Sequence, residues 1–447
     1  MSDVAAQTTE PYLARFAALE AELAVQPEWL AAQRRQALEV FRVEGFPDLR
    51  AEEWRYTNVR PIVRQPFRPA RDVEAKLGPE GLSAARIGRL ELTDLVFVNG
   101  CFRPELSDTS TAEPGITVRS LASAITEEPD DLRGLLGSVV SFDDNPFAAL
   151  NSAFIDDGAV IDVAADTEPK RPIRLLLVST ADSDPVESHP RVLIRLGRHA
   201  RASVIEHFLG MEGARNFCNL VSEVSLEHGA CLEHYRLQQE SAQGFLVASL
   251  HAVVERDARL ISHNVNLGGR LVRQDLNIRL EQPGAATELN GLMLASGRQH
   301  VDNHTRVHHV AAHTRSQESY KSVLDGHARG VFKGRVLVAR DAQKIEAHQS
   351  SGNLLLSDTA EVDTKPELEI YADDVICSHG ATVGQLDESS LFYLRSRGVD
   401  EQTARALLIF AFADEVISRM GLGAVRGRLE EIIVGRLPHS ETLRGFV

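Results

Sequence analysis

Cysteine is scarce in this chain. Cys101, Cys218, Cys231 and Cys377 are the only four in 447 residues, and no two of them form a CxxC pair. That excludes a disulfide framework and fits a reducing compartment. Basic residues are in deficit, 48 Lys and Arg against 64 Asp and Glu, for a formal net charge of −16. A nucleic-acid backbone as the main partner would need the opposite balance. Long apolar runs are missing too. The longest apolar helical stretch, residues 404–417, is interrupted by Asp414 and Glu415 and is too short and too charged to span a bilayer. The opening residues show no basic segment leading into an apolar one, so no secretory signal is visible. The expectation is a cytoplasmic protein with neither nucleic acid nor membrane as its partner.

The common catalytic signatures are absent as well. There is no GxxxxGK[ST] loop, hence no standard phosphate cradle with its magnesium-binding hydroxyl. Gly268-Gly269 and the run Gly291–Gly297 lack the strand–glycine–helix context of a dinucleotide fingerprint. Neither HExxH nor GxSxG occurs. These absences favour a scaffold or binding role over an enzyme, with no cofactor bound tightly by the isolated chain.

What is present changes texture along the chain. Residues 11–43 read as amphipathic helix, with Leu13, Phe16, Leu19 and Leu23 at spacings of three and four, and Gly45-Phe46-Pro47 stops the pattern. Trp54 and Tyr56 follow, placed to pin this N-terminal unit onto the rest. From Asn151 to about Asp374 short strand-like runs recur behind a weak signature, a Gly, Asp or His beside Ala. The alanines fall at 200, 230, 258, 285, 328, 342 and 360, regularly at first and irregularly later. Irregular repeats suit a solenoid whose coils differ by loop insertions. A β-sandwich has similar strand and turn signals, but stretches such as Thr305–Val310 and Lys344–His348 would expose one polar face on every coil, which a solenoid accommodates. The tail returns to helix. Asp387 and Asp400 stand as N-caps, and Ala404, Leu407, Leu408, Ala411, Phe412 and Val416 line an apolar face. That face packs either on the chain's own solenoid or on a partner. The expected architecture is mainly β, a parallel β-helix core over 151–384. An N-terminal helical region (1–70), a mixed α/β linking region (71–150) and a C-terminal helical domain (385–447) flank it.

Two places could carry metal chemistry. Cys377 and His379 stand two residues apart in the run Asp374–Asp387, so in a strand both point to one side. A soft thiolate and an imidazole suit iron, copper or zinc, but two ligands do not close a shell. Histidines also cluster at 300, 304, 308, 309 and 313, where even spacing lets His300, His304 and His308 share a face. No acidic or cysteine ligand stands at a recognisable metal spacing from them, so a polar outer face or subunit contact is the plainer reading. Cys101 and Cys218 read as core fillers, and Cys231 could point either way.

Several segments carry a resemblance. Lys365–Ile370, Asp374–Gly384 and Leu391–Gly398 are the most specific, supported by Gly45–Pro47, Glu53–Thr57, Asn99-Gly100 and Phe147–Asn151. Through them the chain resembles the SufB/SufD family of the SUF iron–sulfur cluster assembly machinery, and within it the SufD component. The resemblance implies a right-handed parallel β-helix flanked by helical regions and a non-ATPase scaffold subunit of a SufBCD complex. It implies pairing with SufB, with a homodimer possible for the isolated chain, and docking of the SufC ATPase by the helices after Asp387, where Leu407, Leu408, Ala411 and Phe412 are the candidate contacts. It places His379, with Cys377 beside it, at the SufB interface as the group that handles iron or a transient iron–sulfur cluster. A carbohydrate-processing β-helix is a competing class, but its candidate carboxylates, Asp156-Asp157 and Asp373-Asp374, are adjacent and would face opposite ways in a strand. A purely structural β-helix with no metal role is the third reading.

Overall fold

The structure, a computed structural model, describes residues 3–23, 26–73, 77–109, 113–142, 145–180 and 184–437. The far ends of the two outer regions, 1–2 and 438–447, lie outside them.

The weak repeat is a corner. His199, Gly229, Asp257 and Gly284 have φ of 56°, 70°, 55° and 82°, and each precedes one of the buried alanines, Ala200, Ala230, Ala258 and Ala285. The column continues through His313 and Lys344, with φ of 60° and 58°. Left-handed backbone turns the chain sharply there, which Gly tolerates at no steric cost and Asp or His at little. The small Ala then lets the next strand start close beneath its neighbour. Gly229 has a second reason to be glycine, since a Cβ there would stand 2.2 Å from His199 Nδ1. The later irregularity of the alanines has a different cause from the expected loop insertions. Ala328 and Ala360 introduce the strands Arg329–Val338 and Glu361–Ile370 of the other sheet, so the signature has moved from one corner to another while the coils stay even.

The coils stack into two long sheets, giving a β-solenoid of about seven turns. One sheet has eleven strands and runs from Glu361–Ile370 back through Arg329–Val338, His300–His309, Leu271–Leu280, Phe245–Val254 and Asn216–Leu226 to Ile116–Ser120. The other has ten and runs from Val375–Gly384 through Ile345–Leu355, Arg315–Leu324, Ala286–Ala295, Arg259–Asn266 and Cys231–Gln239 to Thr93–Val98 and Cys101–Phe102. Coil-to-coil pairing is parallel and in register, while the far end closes with two short antiparallel pairs, Ile116–Ser120 on Gly158–Val163 and Thr93–Val98 on Cys101–Phe102. Side chains of both sheets fill the interior, where Leu232, Leu260, Leu250, Leu276 and Phe332 belong to one apolar core. Each such Leu or Phe contributes about 1.5–3 kcal/mol by leaving water.

The helical regions cover the outer faces. Asp3–Leu23 and Glu28–Glu44 pack with Pro146–Ala153 through Tyr12, Phe41, Phe147 and Leu150. Trp54 is buried against Phe147, with the Arg273 guanidinium 3.8 Å over its ring, so the expected pin is present and Tyr56 beside it is half-buried. At the other end of the chain the helices Glu388–Ser396, Glu401–Ile417 and Gly423–Arg436 lie on the second sheet. Ile409, Ala413, Val416, Ile417 and Leu429 meet Leu237, Val265, Leu292 and Leu294 there. Asp387 and Asp400 cap their helices as expected, each accepting backbone N–H bonds. No helix among the described residues is long and apolar enough to cross a membrane.

Candidate functional site

The two ends of the solenoid differ. The N-terminal end closes with the two antiparallel pairs. At the C-terminal end, Glu361–Ile370 and Val375–Gly384 are the last strands of their sheets and pair on one side only. Alternation sends Val362, Thr364, Pro366, Leu368 and Ile370 of one strand, and Val375, Cys377, His379, Ala381 and Val383 of the other, toward the solenoid axis. Contacts agree: Thr364 Oγ1 lies 3.2 Å from Ser351 Oγ across the interior, and Leu368, Val375 and Cys377 pack on Val336, Val338, Ile345 and Ala347. Among the described residues no coil lies above this inward layer, and Ile370, His379, Ala381 and Val383 are exposed. Two open strand edges beside an uncovered apolar layer are a template for another chain. Pro366, in mid-strand without an N–H, limits what can pair on that edge.

Cys377 and His379 therefore share this layer, roughly 7 Å apart along the strand. Cys377 continues the column Ser316–Ala347, and His379 continues Glu318–Gln349. Burial pushes the Cys377 thiol above its ordinary value, so metal would have to displace its proton. Among the described residues no three His, Cys, Asp or Glu side chains converge so as to hold a metal ion. The pair is an open half-site whose remaining ligands must come from elsewhere.

The other sequence candidates have separate destinations. His300 and His304 share the outer face of His300–His309 and hold the N-terminal segment. Thr57 Oγ1 lies 2.8 Å from His300 Nε2 and donates to Asp302, while Glu53 approaches His304 Nδ1 at 3.5 Å and accepts from Lys333 Nζ at 2.8 Å. Burial and Arg273 oppose the charge on His304, but Asp302 and Glu53 outweigh them and raise its pKa. His309 points inward, bonded to Thr314 and Ser316, and burial lowers it to about 4. Cys218 is core. Cys101 is only half-buried, so it is not the core filler expected, and burial with Asp157 raises its thiol to about 11. Cys231 points outward, since its neighbour Leu232 enters the core. Asp157 is taken up by Ser120 Oγ and by the N–H groups of Phe102, Ala122 and Gly158, whereas Asp156 faces Arg71 on the wall of a small pocket that Asp157 does not line, so the two carboxylates do not flank one cleft.

On the helix Glu401–Ile417 the buried line is Ala406, Ile409, Ala413 and Val416. Leu407 and Phe412 pack partly onto the sheet, with Lys321 Nζ 4.1 Å over the Phe412 ring, whereas Leu408 is half-buried and Ala411 exposed. A groove of about 1840 Å³ runs between these helices and the solenoid, past Leu294, Val323, Ile409 and Arg436, but neither Cys377 nor His379 lines it. Two buried polar residues behind His379, Glu318 and Gln349, were not singled out from the sequence. Alternation puts them on the inward side with Tyr320 and Ala347, which was the only signal available.

Fold and site together define a parallel β-solenoid subunit, sealed at one end and offering a thiol and an imidazole at the other. Comparison with known proteins gives that class a family. The profile of the "SUF system FeS cluster assembly, SufBD core domain" matches residues 178–412, and that of the "SufBD protein N-terminal region" matches residues 6–175. The chain is 33% identical over 417 residues to an iron–sulfur cluster assembly SufBD family protein of Synechocystis, covering 90% of each chain. It is 31% identical over 408 residues to the iron–sulfur cluster assembly protein SufD of Escherichia coli, covering 91% of this chain and 93% of that one. It is also 32% identical over 322 residues to the chloroplastic protein ABCI7 of Arabidopsis thaliana, covering 69% and 67%. The chain belongs to the SufBD family of the SUF iron–sulfur cluster assembly system.

Proposed function

We propose that the chain is a non-catalytic scaffold subunit of a SufBCD complex, working in the cytoplasm, and that its uncovered terminal coil meets SufB. The observation that carries this is the open inward layer. It offers one soft and one borderline ligand, apolar surroundings and two unpaired strand edges, and needs a second chain to complete any metal shell. A transfer scaffold benefits from such an arrangement. A neutral imidazole ligates iron and leaves readily, whereas four thiolates from one chain would hold a cluster as a resident. Iron and nascent cluster are cargo in this reading. Motion of the SufC ATPase, docked on the C-terminal helices, would open the interface, and the chain itself hydrolyses no ATP.

The test is cluster content and transfer to an apo-acceptor by co-expressed complexes reconstituted anaerobically. His379→Ala should keep subunit stoichiometry and lose most of the cluster assembled per complex. Cys377→Ala should cost less if its thiol mainly packs and the essential thiolate comes from SufB. Normal transfer by a fully assembled His379→Ala complex would remove His379 from the mechanism. Failure of the complex to assemble would show that His379 holds the interface instead.

A further inference from the structure

The column behind His379 is built in a way that packing alone does not explain. Glu318, Gln349 and His379 occupy three successive rungs of one inward-facing line. Glu318 and Gln349 are 1% and 4% exposed. Gln349 Nε2 donates to Glu318 Oε1 at 3.0 Å, and Thr305 Oγ1 donates to the other carboxylate oxygen. Both Glu318 oxygens are engaged as acceptors, so the carboxamide of Gln349 stands with its nitrogen toward the acid and its oxygen away. Gln349 Oε1 is then buried with no partner among the described residues. An orphaned buried acceptor costs about 1–3 kcal/mol and calls for a donor. The room the amide occupies is kept open across the solenoid, because a Cβ on Gly334 would stand 2.7 Å from Gln349 Nε2. The next rung, roughly 4.8 Å on, is His379.

We infer that Gln349 is a positioning residue for His379: its orphaned Oε1 accepts the imidazole N–H, fixes one neutral tautomer, and leaves the other ring nitrogen free to meet a metal ion across the open end. Ligating histidines are commonly held this way by an acceptor behind the ring, which sets both tautomer and orientation. Glu318 acts one rung deeper by holding the carboxamide against a flip, and Gly334 makes the space. The inference rests on His379 being a ligand, as proposed above, but the bond to Gln349 can be tested without any metal.

The experiment is ¹⁵N NMR of the imidazole rings in the full-length chain, with His379 assigned by its absence from His379→Ala. Wild type should show His379 in a single neutral tautomer. Gln349→Leu should leave a mixture close to that of a free imidazole, and the corresponding complex should carry about tenfold less cluster at limiting iron. Gln349→Leu also strips Glu318 of a donor and could unfold the coil, so two further variants are needed. The exchange Glu318→Gln with Gln349→Glu reverses the donor and acceptor but still presents an oxygen to His379, and should restore the single tautomer. Gly334→Ala should displace the carboxamide and mimic Gln349→Leu with both polar residues retained. A folded Gln349→Leu chain with the wild-type tautomer, or a folded exchange variant that fails to restore it, overturns the inference. The two readings can fail separately. A normal cluster yield from His379→Ala defeats the proposed function and leaves the tautomer result standing. An unchanged tautomer in Gln349→Leu defeats only the positioning role.

Discussion

At the scale of single residues, the sequence marked Cys377 and His379 but could not say which way they face. Their two-residue spacing guarantees a shared side. Only the strand register shows that the side is the solenoid interior, left open by the absence of a further coil. The buried acid behind His379 carries a consequence for stability. Burial raises Glu318 to about 7, against which its bonds to Thr305 and Gln349 act in the lowering direction. The folded chain then binds a proton that the unfolded chain has released, so stability declines as pH rises from about 4.5 to 7. Glu240, raised to about 7 by burial, adds a decline of the same sign. Glu318→Gln should remove its own share, on the order of 3 kcal/mol, when urea unfolding is compared at pH 5 and pH 8, leaving the Glu240 share in place. An unchanged pH slope would show that Glu318 is ionised throughout.

The histidine cluster combines both senses. Glu53 is lowered from its usual 4.5, because His304 and Lys333 outweigh its burial, and His304 is raised above its usual 6.5. The contribution of Glu53 is present above its unfolded pKa and is lost as pH falls through the folded one. That of His304 is complete below 6.5 and is lost as pH rises through its folded value. The N-terminal segment is therefore held most firmly between about pH 4.5 and 6.5. His304→Ala, which leaves Glu53 and Asp302 short of a partner, should cost about 3 kcal/mol and speed proteolysis ahead of Trp54 without altering cluster chemistry.

At the scale of elements, the corners were legible and their ordering was not. A left-handed residue followed by a small one is a local demand, so it leaves a local trace at His199-Ala200, Gly229-Ala230 and Asp257-Ala258. Where Thr314 and Ile345 replace the alanine after His313 and Lys344, the trace vanishes although the corner persists. Gly229→Ala should destabilise by at least about 1 kcal/mol through its backbone alone, with the clash against His199 adding to it. The C-terminal helices teach a related lesson. An apolar stripe was visible, but the tilt of Glu401–Ile417 on the sheet buries Ala406, Ile409 and Ala413 and leaves Leu408 and Ala411 toward solvent. Removing the tail outright would bare Leu237, Val265, Leu292 and Leu294, so docking of SufC is better tested at the surface. Ala411→Arg should leave the melting temperature unchanged and weaken co-purification of SufC by tenfold or more, as expected where a contact core takes a charge. Undiminished association would place the docking face elsewhere.

At the scale of the whole molecule, the solenoid is a stack with one finished end. Its N-terminal end closes with short antiparallel strands, while the N-terminal helices and the Trp54 segment cover the outer face of the eleven-stranded sheet. Its C-terminal end carries a half-buried thiol, an exposed imidazole and two free edges, a feature of the assembled sheets that no short stretch of sequence reveals. The account stands or falls on that end being covered in the working complex. Amide hydrogen exchange measures this directly, comparing the co-expressed complex with an isolated chain kept from self-association by Val383→Asp. The account predicts fast exchange of the outward amides of Glu361–Ile370 and Val375–Gly384 in the isolated variant and strong protection of both strands in the complex. Equal exchange of these two strands in both samples, with protection confined to the helices, would contradict it.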